Sequence, residues 1–424
     1  MSPAIITLIV LVVMIILFVS EKLPLGLVSM IAPIILSCFG IIKRGDIFAS
    51  FSGGTIVLLA TMMILGQCVF QTGLAEKMAI GLVRVTGKSE NGIMIATILV
   101  GLLISSICSG LGVVAMMLPI VIAMSLDAKI SVSRQLIPLS FAASVGCNLT
   151  LVGAASNVST AGLIEDMGIN FLGFFELGKI GVPLCIVFLI YFLTIGKKLL
   201  TPGDSSDPEY LKEYTKKSEN NLIFSPFKAG LCGVILVVLL ISMAVANKQW
   251  PMYFIATIGC ALMMLTGCIS EKDAMKAVHL PTLLIVGGMS AVSKAMATSG
   301  AGKMIADGVL YVLGNEPNKM LFLFFVLVIT VILTNVMMNT ATVVLVTPLF
   351  VPVAVSLGIN PVAIGVAICV AASAPFLTPV GSGTNTLIVA PGNLGMRDFF
   401  VPGVGLTAVI VAASQFIIPV FWPL

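Results

Sequence analysis

The chain has 424 residues, of which 59% are apolar and only 9% charged, with a formal net charge of +4. A water-soluble domain of this length could not cover so much apolar surface, so the composition excludes soluble enzymes and binding modules and places the chain in a bilayer. Nine cysteines stand singly, without disulfide or zinc spacing, and no nucleic-acid signature is present.

Apolar runs predict spanning helices at 4–20, 25–42 and 55–70. The first lacks a positive n-region and a small-residue cleavage site, so it reads as a retained helix. A helical hairpin is expected at 92–108 and 112–126, then an interrupted span over 136–164 and a span at 175–195. The stretch 203–221, rich in Ser, Pro and mixed charge, reads as a linker. The plan then recurs, with spans at 227–246, 252–267 and 282–297, a hairpin at 320–337 and 340–357, a broken span at 361–390 and a last span at 401–421.

The recurrence is visible in the residues. FAASVGCNLTLVGAASN, from Phe141 to Asn157, answers VAASAPFLTPVGSGTN, from Val370 to Asn385. With one residue of gap, Leu149-Thr150, Val152-Gly153 and Asn157 fall on Leu377-Thr378, Val380-Gly381 and Asn385. Smaller echoes run from Thr72 to Ala79 against Ser299 to Ala306, and Pro119 stands opposite Pro348. Five spans per half is an odd number, so the halves are expected to lie in opposite orientation. The expected fold is an all-α polytopic membrane protein of two inverted repeats, each of five spans plus a helical hairpin, with broken helices at mid-membrane. The repeats occupy 1–199 and 227–424, joined by a linker at 200–226. With that linker cytoplasmic, fifteen of the 22 Lys and Arg lie on its side. The exceptions are Lys43, Arg44, Lys179, Lys248, Lys294, Lys303 and Lys319. Both termini then lie outside.

Gly, Pro, Ser, Thr and Asn inside an apolar span leave backbone groups without helical partners, which lipid tolerates only where they line a cavity or are buried in protein. Paired interruptions at matching places mark a transporter's binding site. Close helix packing explains one such break easily, but not two that end in the same Asn. Half-helix N-termini suit an anion and unwound carbonyls suit a small cation. Asn157, Asn385, Ser156 and Thr384 add amides and hydroxyls there, as does Thr386. At the second hairpin tip, Thr334, Asn335, Asn339, Thr340 and Thr342 cluster between apolar arms. The first tip keeps Ser105, Ser106 and Ser109 but has Gly110 and Leu111 where the second has Asn339 and Thr340.

No Asp, Glu, Arg or His lies within the hairpin tips or breaks. A proton-driven carrier needs a titratable group in its path, so a cation held by neutral oxygens is favoured. Lys294, His279 and the 23 methionines read as an interfacial lysine, an interfacial histidine and flexible packing residues.

Ser109-Gly110-Leu111, Met338-Asn339-Thr340, Gly153 to Asn157 and Gly381 to Asn385, with the tail from Ser373 to Leu406, resemble the divalent-anion:sodium symporter (DASS) family of the ion-transporter superfamily. That family carries Ser-Asn-Thr motifs at both tips and a Gly-Thr/Pro-rich turn ending in Asn in both broken helices. Gly110 and Leu111 depart from it. The resemblance implies scaffold and transport regions, a homodimer, elevator-type movement, and substrates such as succinate, malate, citrate or sulfate, generally driven by sodium. It implies substrate contacts from Ser109, Ser156, Asn157, Asn339, Thr340, Thr384 and Asn385. It implies sodium ligands from Ser105, Ser109, Gly110 and Gly153 in the first half, and Thr334, Met337, Asn339 and Gly381 in the second. Carboxylates, inorganic oxyanions and sodium-independent exchange all remain open on these residues. An enzyme would need an acid–base or nucleophilic set that the membrane segments lack, and a channel would need no matched breaks. A cytoplasmic (inner) membrane is the expected location.

Overall fold

The computed structural model describes residues 2–20, 22–74, 89–200, 226–246, 249–305 and 318–424, with 76–78, 81, 87, 211 and 307 besides. Most of the predicted linker, and parts of both the 72–79 and 299–306 echoes, lie outside the described residues. Among the described residues the secondary structure is helical, without strands.

Three helices open the chain: α1 (Pro3–Ser20), α2 (Leu25–Cys38) and α3 (Gly54–Gln71). The first hairpin is α4 (Glu90–Ser105) and α5 (Gly110–Asp127). A broken helix follows as α6 (Ser133–Gly146) and α7 (Ala155–Asp166), then α8 (Gly178–Tyr191), which runs on through a π-turn to Leu199. The second half comprises α9 (Pro226–Ala244), α10 (Met252–Leu265), the short α11 (Glu271–Ala277) and α12 (Leu280–Thr298). Its hairpin is α13 (Lys319–Thr334) and α14 (Asn339–Ser356), its broken helix α15 (Pro361–Ala372) and α16 (Gly383–Gly392), and α17 (Met396–Phe421) ends it.

Local sequence sets these bounds. Ser89, Asn318 and Asn360 cap α4, α13 and α15 by accepting backbone N–H bonds. Pro361 opens α15 where its missing N–H costs nothing. The spans expected at 25–42 and 252–267 end early, because Gly40 and Gly267 take positive φ just beyond α2 and α10. At 14 residues each, these two reach about 21 Å, short of a hydrocarbon core of about 30 Å. Eight helices among the described residues are long and apolar enough to cross a membrane.

The packing has a swapped regularity. If α1 answers α9, α2 answers α10 and α3 answers α12, then α2 on α12 is the counterpart of α10 on α3, and both pairs pack. Likewise α4 packs on α6 and α13 on α15, α16 on α6 and α7 on α15, α16 on α5 and α7 on α14. The hairpins and broken helices thus form one group of helices. α3 and α12 meet that group through α5, α7 and α14. A cluster of fully buried rings ties the broken helices to α8 and α17: Phe141 lies 4.8 Å from Phe376 and about equally far from Phe192 (6.2 Å) and Phe399 (6.3 Å).

Candidate functional site

In each half, the hairpin tip is tied to its own broken helix by the same hydrogen bond. The Thr378 hydroxyl donates to the carbonyl of Asn335 at 2.8 Å. Its counterpart, the Thr150 hydroxyl, donates to the carbonyl of Ser106. A second matched bond closes each break on itself. The Asn385 amide donates to Pro375 O at 2.6 Å and the Asn157 amide to Cys147 O at 3.0 Å, each reaching back ten residues. The two breaks are therefore built on one plan, and the one-residue gap of the sequence alignment falls between Ser144 and Leu149.

The second tip is the richer. Asn335 donates to Val331 O (2.8 Å) and Ala374 O (3.2 Å), while its side-chain oxygen accepts the Leu377 amide at 2.8 Å. Thr334, fully buried, has its hydroxyl 2.8 Å from Ala372 O and 3.0 Å from Asn339 Oδ1. A hydroxyl carries one proton and cannot donate to both. Three neutral oxygens therefore converge with a single proton among them, the kind of cluster that holds a hard cation. Gly381 lies against the backbone of the same tip: a Cβ there would stand 3.0 Å from the Thr334 carbonyl oxygen and from Asn335 Cα. Met337 is buried at the tip at 1% exposure, and Thr340 is half-buried in the first turn of α14.

The first tip offers less. Ser105 turns back to Leu102 O at 3.3 Å, and Ser109 is exposed just before α5 without capping it. Gly110 supplies no side-chain oxygen where Asn339 does, and a Cβ there would lie 3.1 Å from Ala143 O. Close backbone approach thus accounts for glycine at this position. Gly153 sits in a tight turn whose Cβ position is filled by the Cys147 carbonyl.

The halves also cross. Ser140 donates to Asn385 Oδ1 at 2.6 Å, Ser144 Oγ lies 3.5 Å from Thr384 Oγ1, and Ser373 donates to Asn148 Oδ1 at 3.3 Å. A Cβ on Gly110 would be 3.5 Å from Thr384 Cγ2, so the first tip stands beside the second break. The structure thus brings together Gly110, Thr384 and Asn385, and separately Thr334, Asn339 and Gly381. Ser156 and Asn157, at 2% and 0% exposure, carry unpartnered oxygens, Ser156 Oγ and Asn157 Oδ1.

Sequence reasoning did not select Asn335, Thr378, Thr150 or Ser140 as site residues. Thr150 and Thr378 were marked by the matched Leu-Thr dipeptides, and Asn335 by its place in the polar tip. Nothing in the sequence marks Ser140. Away from the breaks, Lys294 lies 3.9 Å from Asp166, whose carboxylate also accepts the Ser290 hydroxyl, and His279 Nδ1 lies 2.8 Å from Thr282 Oγ1 at the start of α12.

With two tips, two breaks and matched ties in hand, the relatives are informative. A family profile described as citrate transporter (CitMHS) matches residues 15–311 and 238–423. The chain belongs to the citrate transporter family. This family member is 23% identical to the sodium-dependent dicarboxylate transporter SdcS of Staphylococcus saprophyticus, across 95% of the chain and 84% of that protein. It is 22% identical to the uncharacterized transporter YfbS of Escherichia coli, across 97% of the chain and 98% of that protein. Sodium/sulfate cotransporter 2 of Chlamydomonas reinhardtii is 28% identical over 40% of this chain and 19% of its own length. The crystal structure of the Alcanivorax borkumensis YdaH transporter shares the fold, with a TM-score of 0.64 and 16% identity, covering 88% of this chain and 87% of that one. This citrate transporter family member is therefore a multi-span membrane transporter of the citrate, dicarboxylate and sulfate permease kind, not an enzyme.

Proposed function

We propose that this family member is a secondary active carrier of small organic anions, the carboxylate class of succinate, malate and citrate, driven by sodium. One observation carries the reading: the tip of each hairpin is bonded to its own broken helix, and at the second tip Thr334, Asn339 and Ala372 leave an oxygen cluster short of protons. That cluster would hold sodium, with Gly381 allowing the close approach and Met337 closing the tip. The anion would lie between tips and half-helix N-termini, among Ser109, Ser156, Asn157, Asn339, Thr340, Thr384 and Asn385. At the first tip, Ser105, Ser109, Gly110 and Gly153 would form a poorer cation site.

The swapped packing supports two inverted repeats, 1–199 and 227–424, with a linker at 200–226. The hairpins and broken helices then form the transport region of an elevator, sliding on α3 and α12. A homodimer in the cytoplasmic membrane, with a cytoplasmic linker and external termini, completes the proposal.

The test is uptake of radiolabelled succinate and sulfate into proteoliposomes, with and without an inward sodium gradient. Sodium-dependent succinate uptake is expected. Uptake of sulfate alone moves the protein to the inorganic branch. Uptake that needs preloaded anion and ignores sodium makes it an exchanger.

A further inference from the structure

Apart from the tips and the polar groups of the breaks, a cavity of about 580 Å³ opens between α3, α7, α10 and α12. Pockets for small organic ligands run from about 300 to about 1,000 Å³, so a ring with a short chain fits. The mouth lies where α7 ends and α3 and α10 begin, beside the turn at Ser50 and the loop at Asn170. The walls are apolar and partly aromatic, with Leu58, Phe171, Tyr253 and Val286 among them. The elements around the cavity touch one another. A Cβ on Gly162 of α7 would collide with Thr55 of α3, and one on Gly287 of α12 would stand 2.5 Å from Phe51.

The charged residues lining the cavity are Glu165 and Asp166, both negative. Asp166 is engaged: one oxygen accepts the Ser290 hydroxyl, and the other lies 3.9 Å from Lys294. Glu165 makes neither a hydrogen bond nor an ion pair among the described residues, and it is exposed beside a like charge. Two carboxylates against one ammonium leave a single negative charge in excess at the mouth. A dianion is repelled there, so the cavity is no second seat for the transported class. A zwitterionic head would bring a negative group for which the lining offers no further cation. The complement is one ammonium on an apolar body, which the ring of Tyr253 also favours.

We propose that this cavity is a second ligand site that takes an amphipathic amine, its ammonium paired with Glu165 and its apolar body between α7 and the walls of α3, α10 and α12. Those walls come from both sides of the proposed slide, α7 from the transport region and α3 and α12 from the surface it moves on. An occupant holds the two together and arrests transport without entering the substrate site. The arrest rests on the carrier reading given above; the binding does not.

The test melts the purified full chain in detergent with sodium, in the presence of 4-phenylbutylamine, 4-phenylbutanol or 4-phenylbutanoate. The three share one apolar body and differ in the charge of the head. Binding to the native state raises the melting temperature. The amine is expected to reach half its maximal shift at about fivefold lower concentration than the alcohol or the carboxylate, the scale of one partly exposed ion pair. Glu165→Gln is expected to remove that advantage and to leave the ligand-free melt unchanged. In proteoliposomes the amine is expected to lower sodium-driven succinate uptake, and excess succinate does not restore it.

Equal potency of amine and alcohol, or an amine response unchanged in Glu165→Gln, overturns the cationic seat. Inhibition relieved by succinate overturns a site apart from the substrate's, and uptake indifferent to bound amine overturns the arrest. Absent uptake of succinate and sulfate, with the melting results as expected, overturns the carrier reading and leaves the amine site standing.

Discussion

Asn385 and Asn157 hold matching positions, yet the first makes three buried hydrogen bonds and the second one. At about 1 kcal/mol per bond, Asn385→Ala costs about 3 kcal/mol and Asn157→Ala about 1. Thermal melting in detergent measures both, and equal losses contradict the hydrogen-bond pattern. Asn339→Ala and Asn385→Ala are each expected to abolish uptake while protein remains in the membrane. If they are tolerated as well as Ser242→Ala on α9, the site assignment fails. Gly381→Ala places a methyl 3.0 Å from backbone at the second tip, so uptake is expected to fall there too. The asparagines were legible because an amide in an apolar span is costly and appears twice at the same place. Their partners were not. A serine such as Ser140, inside α6, does not announce that it will meet an oxygen 245 residues away.

The helices themselves were largely legible, since apolar length and flanking Gly or Pro fix a span locally. The exceptions are instructive. α2 and α10 stop at glycines with positive φ, where hydropathy alone ran on for several residues. Which element touches which is a different matter. Asp166, at the end of α7, pairs with Lys294 at 3.9 Å and accepts from Ser290, which also lies 2.6 Å from Ser50. Sequence placed Lys294 at an interface; the fold gives it a carboxylate on the helix that α12 packs against. Under the proposed sliding of α7 on α12, this contact belongs to one position only. A half-exposed ion pair is worth about 1 kcal/mol or less. Asp166→Asn should therefore shift the balance of positions about fivefold at most. Thiol labelling of Ser290→Cys in a cysteine-free background reads that shift. An unchanged labelling rate argues that the contact holds nothing.

For the whole molecule, the proposed coupling predicts that replacing external sodium with choline lowers anion uptake at least about tenfold. Proteoliposome flux measures this, and equal flux in both salts removes sodium from the mechanism. The second tip should carry most of that dependence. Thr334→Val, which deletes one of three converging oxygens, is expected to raise the sodium concentration for half-maximal uptake about tenfold, against a smaller change for Ser105→Ala. Equal effects at both tips would mean that Gly110 costs the first site nothing.

The sequence by itself determined that the chain lives in a bilayer, that it carries one polar motif twice, and where its helices break. Those properties follow from composition, apolar length and residues whose backbone or side-chain needs are local. Only the tertiary structure decided which polar groups pair and which stay open. Thr384 and Ser156 look equivalent in the repeat, as do Asn385 and Asn157. The fold saturates the first of each pair through Ser382, Ser144 and Ser140, and leaves Ser156 Oγ and Asn157 Oδ1 buried without a partner. Hydrogen bonding depends on angstrom-scale approach between segments more than two hundred residues apart, and no spacing along the chain encodes that.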